Sequence, residues 1–299
     1  MAEEAIGAPI TIMFPYNVKN DSQGYEFLIS LYFKTRICKM ESIVLDFTNT
    51  NWFEGNMVAV LGAIIDGLKE KFNTVKAINL SEKIQEIFKK NHFLSILGGE
   101  VKDDSLHTSV EYKKFSESER KSFSEYVDTE LLSKPGMPRM SKLLRKKISE
   151  NIFEIFENAV IHGNCQNIFS CGQYYSEASR LDFTIVDLGI TIKKNVNAFL
   201  NKNLSGKEAI VWAVQEGNTT KKGDIPGGLG LGLIREFLKL NGGKIQIVSD
   251  DGYWDEKANT MDAKELSCNF IGTIVNLEFN LDDPKSYLFS SEVDKDDIF

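Results

Sequence analysis

Glu154-Ile155-Phe156-Glu157-Asn158-Ala159-Val160-Ile161-His162-Gly163 decides how this chain is read, because Asp187-Leu188-Gly189 and Gly227-Gly228-Leu229-Gly230-Leu231-Gly232 follow it in order. The first stretch predicts a helix: Ile148, Ile152, Ile155, Phe156 and Ala159 recur at the spacing that stacks side chains on one buried face. Asn151, Glu154, Asn158 and His162 fall on the neighbouring strip. A carboxylate and an amide oxygen one turn apart can divide two tasks at a phosphate. Asn158 can reach a hard cation through its oxygen, and Glu154 can orient or deprotonate a nucleophile. Taken alone, such a pair on an exposed helix face is usually solvated.

The second stretch, Leu181 to Gly189, reads as a buried strand that delivers Asp187 to a glycine turn. A carboxylate there accepts hydrogen bonds, so it can select a base with an exocyclic amine, as adenine has. Capping of a helix that starts near Thr191 is the plainer use of the same residue. In the third stretch Gly228, Gly230 and Gly232 precede an amphipathic run, Leu231, Ile234, Phe237, Leu238 and Leu240. Glycines let a backbone approach an anion, and a helix amino end supplies free N–H groups. No Gly-Lys-Ser/Thr follows and no buried strand leads in, so neither a P-loop nor a dinucleotide fold is indicated. The three stretches together read as parts of one nucleotide pocket.

In this order, over Lys142 to Leu281, the three motifs resemble the Bergerat-fold (GHKL) ATPases, which include gyrase B, sensor histidine kinases and MutL. Phe156 to Gly163 looks most like the anti-sigma-factor serine kinases and stand-alone histidine-kinase-like ATPase domains. The resemblance implies ATP and Mg2+ as cofactors, Glu154 as the catalytic carboxylate and Asn158 as the metal ligand. It implies Asp187 and Gly189 at the adenine. It also makes Gly228, Leu229, Gly230 and Gly232 the phosphate-side lid. The chain departs from the family at Thr191, where a second glycine is usual; its hydroxyl could still line the pocket. Thr220 and Lys221, just before the glycines, would offer a hydroxyl and an ammonium to the β- and γ-phosphates.

Ahead of this region, Ile10 to Phe14, Ser42 to Phe47 and Val75 to Leu80 read as strands. They alternate with helices over Tyr25–Phe33, Met57–Phe72 and Glu82–Lys90, which predicts a small α/β sandwich. Val44-Leu45-Asp46-Phe47-Thr48 with Trp52-Phe53-Glu54 before a helix resembles the STAS fold of anti-sigma-factor antagonists. Members switched by phosphorylation carry a serine at the start of that helix; Gly55 and Asn56 stand here instead. The resemblance therefore implies a docking or regulatory module that is not phosphorylated at that site.

The expected fold class is α/β (α+β): a STAS-like sandwich over residues 1–105, a Bergerat-fold two-layer sandwich over 106–281 and an acidic tail over 282–299. Residues 100–105 read as a linker, 108–112 as an edge strand and 115–132 as a helix.

A net charge of −8 argues against a nucleic-acid surface, and Lys142, Arg145, Lys146 and Lys147 read as a solvated face. Cys38, Cys165, Cys171 and Cys268 form no C-x-x-C pair, so neither zinc nor a disulfide framework is expected. With no apolar run long enough to span a bilayer, no membrane association is expected, and a reducing cytoplasmic location is. His92, His107 and His162 are the only histidines, and none lies on a long helical hairpin, which speaks against a sensor histidine kinase. His162 could touch phosphate or close the pocket, and Trp212 and Phe199 are expected to pack in the helical layer. The expected activity is ATP hydrolysis or γ-phosphate transfer to a Ser or Thr of a partner, another STAS-like protein. The alternative is a nucleotide-gated interaction switch with negligible turnover. A homodimer is possible.

Overall fold

A computed structural model describes residues 8–104, 107–218, 220 and 231–293. The chain is mixed α/β, with several sheets. Its first part holds β1 (Ile10–Met13), β2 (Asn17–Val18), α1 (Ser22–Thr35), β3 (Ser42–Asp46), β4 (Trp52–Phe53), α2 (Val58–Lys69), β5 (Thr74–Ile78) and α3 (Glu82–Lys90). The rest holds β6 (Ser109–Ser116), α4 (Arg120–Tyr126), β7 (Arg139–Met140), α5 (Lys142–Ile161), β8 (Asn167–Tyr175), β9 (Arg180–Asp187), α6 (Ile192–Leu200), α7 (Gly206–Ala213), α8 (Gly232–Asn241), β10 (Lys244–Lys257), β11 (Thr260–Asn280) and β12 (Ser286–Tyr287).

β1, β3 and β5 pair in parallel, because helices α1 and α2 carry the chain back between successive strands. The larger sheet is antiparallel, in the order β10-β11-β9-β8-β6. Side chains alternate across its strands, and both faces are apolar. Leu181, Phe183 and Ile185 of β9 and Val275, Leu277 and Phe279 of β11 join a core with Ile148, Ile152 and Phe156 of α5 and Ile234 and Leu238 of α8. Val186 of β9, Ile274 of β11 and Phe169 and Cys171 of β8 face the other way. They join a core with Leu28 and Leu31 of α1 and with α2. The first part of the chain therefore covers the sheet face that the C-terminal helices leave open.

α2 lies between the two sheets, and its sequence shows it: Val-Ala-Val-Leu-Gly-Ala-Ile-Ile is apolar on every side. Val58 to Ile65 are all buried. Burying one such Leu or Ile contributes about 1.5–3 kcal/mol. Gly62 lets the Tyr112 ring approach, since a Cβ there would stand 2.4 Å from the Tyr112 hydroxyl oxygen.

A polar network stitches the same interface. Asn56 donates to Thr184 Oγ1 (3.0 Å) and Asn276 Oδ1 (3.2 Å), and its Oδ1 accepts from the Tyr175 hydroxyl (3.1 Å). The Asn20 side chain donates to Asp182 Oδ1 (2.9 Å), and Arg180 Nη2 donates to Glu54 Oε1 (2.6 Å). Arg180 Nε stands 3.0 Å from Asp182 Oδ2, an ion-pair contact without hydrogen-bond alignment. Burial raises the Asp182 carboxyl well above the usual range, against the pull of the Arg180 guanidinium.

The segment expected to be helical from Phe115 divides differently. Phe115 belongs to strand β6 at the sheet edge, with its ring 5.2 Å from that of Phe123, and the helix starts at Arg120. Glu119, whose carboxylate accepts from the Ser116 amide (2.7 Å), closes the turn between them. In the stretch read as a linker, Lys102 N donates to Lys89 O (3.1 Å) and Asp104 binds Thr108 and Ser109, so this connection is tacked onto α3 and β6. No helix among the described residues is long and apolar enough to cross a membrane.

Candidate functional site

α5 starts at Ser141, whose hydroxyl accepts from Leu144 N (3.0 Å), and ends at His162. Ile148, Ile152 and Phe156 fasten it to the sheet, so the strip carrying Asn158 and His162 borders the gap between α5, α6 and α7. Gly163 follows because the chain doubles back: a Cβ there would meet Ala159 O at 2.4 Å. Gly163 O in turn accepts from Ile190 N (2.6 Å) and lies 2.2 Å from where a Gly189 Cβ would be. The loops after α5 and after β9 are thus pinned backbone to backbone.

These elements enclose a cavity of about 830 Å³, its mouth included. Ile155, Ala159, Ile185, Val196, Leu231 and Val275 make it mostly apolar, and Asn158, His162, Asp187, Asn195, Asn218, Thr220 and Thr273 supply polar groups. Among the described residues, Asp187 is the one carboxylate in the lining. It is 6% exposed, and its Oδ1 accepts from Gly189 N (2.8 Å). Burial pushes its pKa up to about 7, opposed by hydrogen bonds from the amides of Gly189 and Thr273. Thr273 is its neighbour across the ladder, and Gly272, at φ +87°, passes the chain close under the Asp187 carbonyl.

The structure brings Asn158, Asp187 and Thr220 of the expected site together around one cavity. Glu154 lies one turn before Asn158 on α5, half-buried and outside the lining. Gly189 serves the close approach of the two loops and faces an outer groove on their other side. Thr191 caps α6, accepting from Lys194 N (3.2 Å), and faces the same groove. Gly232 opens α8, and a Cβ there would meet nothing among the described residues. Lys221, Gly228, Leu229 and Gly230 lie outside the described residues.

Several lining residues were not legible in advance. Thr273 depends on the register of β11 against β9, and Asn195, whose side chain donates to His162 O (2.9 Å), depends on how α6 meets α5. Trp212 packs against Phe199 at 6.0 Å, as expected, and also lines the cavity. Asn151 was placed on the polar strip without a role. Its Oδ1 accepts from Ile234 N (3.3 Å), the third residue of α8. Leu231, at the cap position of that helix, makes no side-chain cap. The N-terminal turn of α8 therefore borrows its cap from α5.

No protein-family model matches this chain, and no curated protein matches it in sequence. Residue chemistry and geometry carry the functional argument.

Proposed function

We propose that this cavity binds ATP with Mg2+, and that the protein hydrolyses ATP or passes its γ-phosphate to a Ser or Thr of a partner protein. The observation that carries the reading is Asp187: one buried carboxylate at a strand end, in an otherwise largely apolar cavity that also reaches Asn158. A flat heteroaromatic base suits apolar walls, and its exocyclic amine would add a further donor to a carboxylate held so far by main-chain amides. Asn158 would hold Mg2+ through its amide oxygen, and the metal would neutralise phosphate charge when bound. Glu154 would align or deprotonate the attacking water or hydroxyl. The amides of Gly232 and Leu233 at the start of α8, with Thr220, Lys221, Gly228, Leu229 and Gly230, would receive the phosphates. Chemistry of this kind is mostly positioning, which the pinned loops and the borrowed cap of α8 serve.

The N-terminal part would be the STAS-like docking module of an anti-sigma-type regulator, its partner another STAS-like protein. Asn56, at the position where a switched member would carry its phosphoacceptor, is fully buried against the sheet, so a kinase could not reach a side chain there.

A second reading, a nucleotide-gated switch with negligible turnover, is favoured by one feature. β9 and β11 line the cavity through Ile185, Asp187, Thr273 and Val275, and bind the N-terminal part through Asp182, Thr184 and Asn276. A ligand that shifts these strands on one face would be felt on the other.

Turnover of γ-labelled Mg-ATP by the wild type and Glu154→Gln tests both readings. Free phosphate lost in the variant supports an ATPase, and label on a partner's Ser or Thr supports a kinase. Tight binding with neither product supports the switch, and no adenine-nucleotide binding overturns both.

A further inference from the structure

Ile37, Met40 and Phe72, exposed by 82%, 72% and 72%, are the three most exposed large apolar side chains among the described residues. They sit together. Ile37 and Met40 lie on the loop after α1 and Phe72 on the loop after α2, and Met40 N donates to Lys71 O (3.2 Å) across the two. Asn73 locks the loops further. Its Oδ1 accepts from Glu41 N, and its amide donates to Cys38 O and Leu68 O, each at 2.9 Å. Lys71 Nζ also donates to Arg36 O, and the Arg36 guanidinium lies 3.5 Å from the centre of the Phe33 ring. The result is a knuckle of two loops tied to each other by hydrogen bonds.

Its backbone is held at a cost. Met40 and Phe72 have φ of +58° and +62°; the other non-glycine residues at positive φ are Asn, Asp, His, Ser or Ala. Glycine would adopt this conformation without strain. Large side chains kept there, pointing into water, gain nothing for the fold, and such strain concentrates at functional positions. The knuckle is also basic. Lys34, Arg36, Lys39 and Lys71 stand against Glu41 and Glu70, in a chain whose net charge is −8.

We propose that this knuckle docks the protein on an anionic lipid surface. Exposed tips of unlike shape need no complementary pocket in a bilayer interface, which accepts Ile, Met and Phe alike. The surrounding lysines place their charges at headgroup phosphates while their stems lie along the apolar tips. The proposal does not depend on the nucleotide reading.

Co-sedimentation of the full chain with phosphatidylcholine vesicles, with and without phosphatidylserine, tests it. The wild type binds the phosphatidylserine vesicles, releases them at high salt and ignores phosphatidylcholine alone. The Met40→Gly/Phe72→Gly variant loses about tenfold or more in partitioning, while its melting temperature holds or rises because glycine suits both φ values. Lys39→Glu/Lys71→Glu loses binding as well. A wild type that ignores phosphatidylserine vesicles overturns the proposal, as does a glycine variant that binds them as well as the wild type. If the wild type ignores the vesicles and the knuckle instead retains an acidic protein, the partner is a protein and the lipid reading fails.

Discussion

Strand β9 carries two buried aspartates that face opposite sides of one sheet. On the back, Asp182 meets Arg180, Asn20 and Asn276, three partners drawn from both parts of the chain. On the front, Asp187 has main-chain amides and an apolar cavity. Both carboxyls are raised by burial, so burial alone does not separate structure from function. What separates them is what they face: Asp182 is set among charged and polar side chains of the fold, with one oxygen held by an ion-pair contact alone, whereas Asp187, held by main-chain amides, borders a cavity with room for a ligand.

The back face breaks most severely. Arg180→Met leaves Glu54, Asp182 and Glu278 without their shared cation and should cost roughly 3 kcal/mol or more by urea denaturation. The loss should shrink in acid, where Asp182 takes up a proton. An equal loss at pH 5 and pH 8 would mean that the guanidinium acts through packing alone.

The front face should answer in the opposite sense. Asp187 binds its proton more tightly in the folded chain, at about 7 against an ordinary 3.8. Between those values the folded chain holds a proton that the unfolded chain has released, so stability falls as pH rises through the window, by on the order of 4 kcal/mol for this group. Asp187→Asn should therefore raise the melting temperature at pH 8, leave it nearly unchanged near pH 4, and abolish adenosine binding. In the wild type, adenosine affinity should climb about tenfold from pH 6 to pH 8, because the amine favours the ionised carboxylate. Calorimetric titration with adenosine avoids the titration of the phosphates.

Gly62→Ala probes the packing between the faces. A methyl group 2.4 Å from the Tyr112 oxygen should cost about 1–2 kcal/mol, although alanine is the better helix former. A stabilised variant would show that the Tyr112 ring yields easily. The smallest effect is expected for Asn151→Ala, which removes the borrowed cap of α8 at about 1 kcal/mol. ATP affinity should fall several-fold while adenosine affinity holds, since only the phosphates would sense the start of α8. Equal losses for both ligands would assign Asn151 a purely structural role.

Much of this fold is legible in local sequence. The helix over Asn158, the strand into Asp187 and the parallel β-α-β order of the first part follow from periodicities of 3.6 and 2. The helix expected from Phe115 failed because a strand end and a helix start share one aromatic cluster, Phe115, Phe123 and Tyr126, which periodicity cannot divide. Asp187 and Asn158 could be picked out because strand ends and helix faces are local properties. Thr273 and Asn195 could not, because strand register and helix crossing set their positions. Gly189 shows a third case: its presence was readable, but its use, leaving room for Gly163 O where a Cβ would stand 2.2 Å from that oxygen, belongs to two loops that meet only in the folded chain.

Sequence by itself determined the helices and strands of the first part, the helix that carries Asn158 and the strand that delivers Asp187. Only the tertiary structure decided that the first part of the chain covers the back of the larger sheet, so that β9 and β11 serve the cavity on one face and the polar interface on the other. The physical reason is that side-chain alternation is written residue by residue, whereas the partner of each face is chosen by contacts between segments more than a hundred residues apart, such as Asn56 with Thr184 and Asn276.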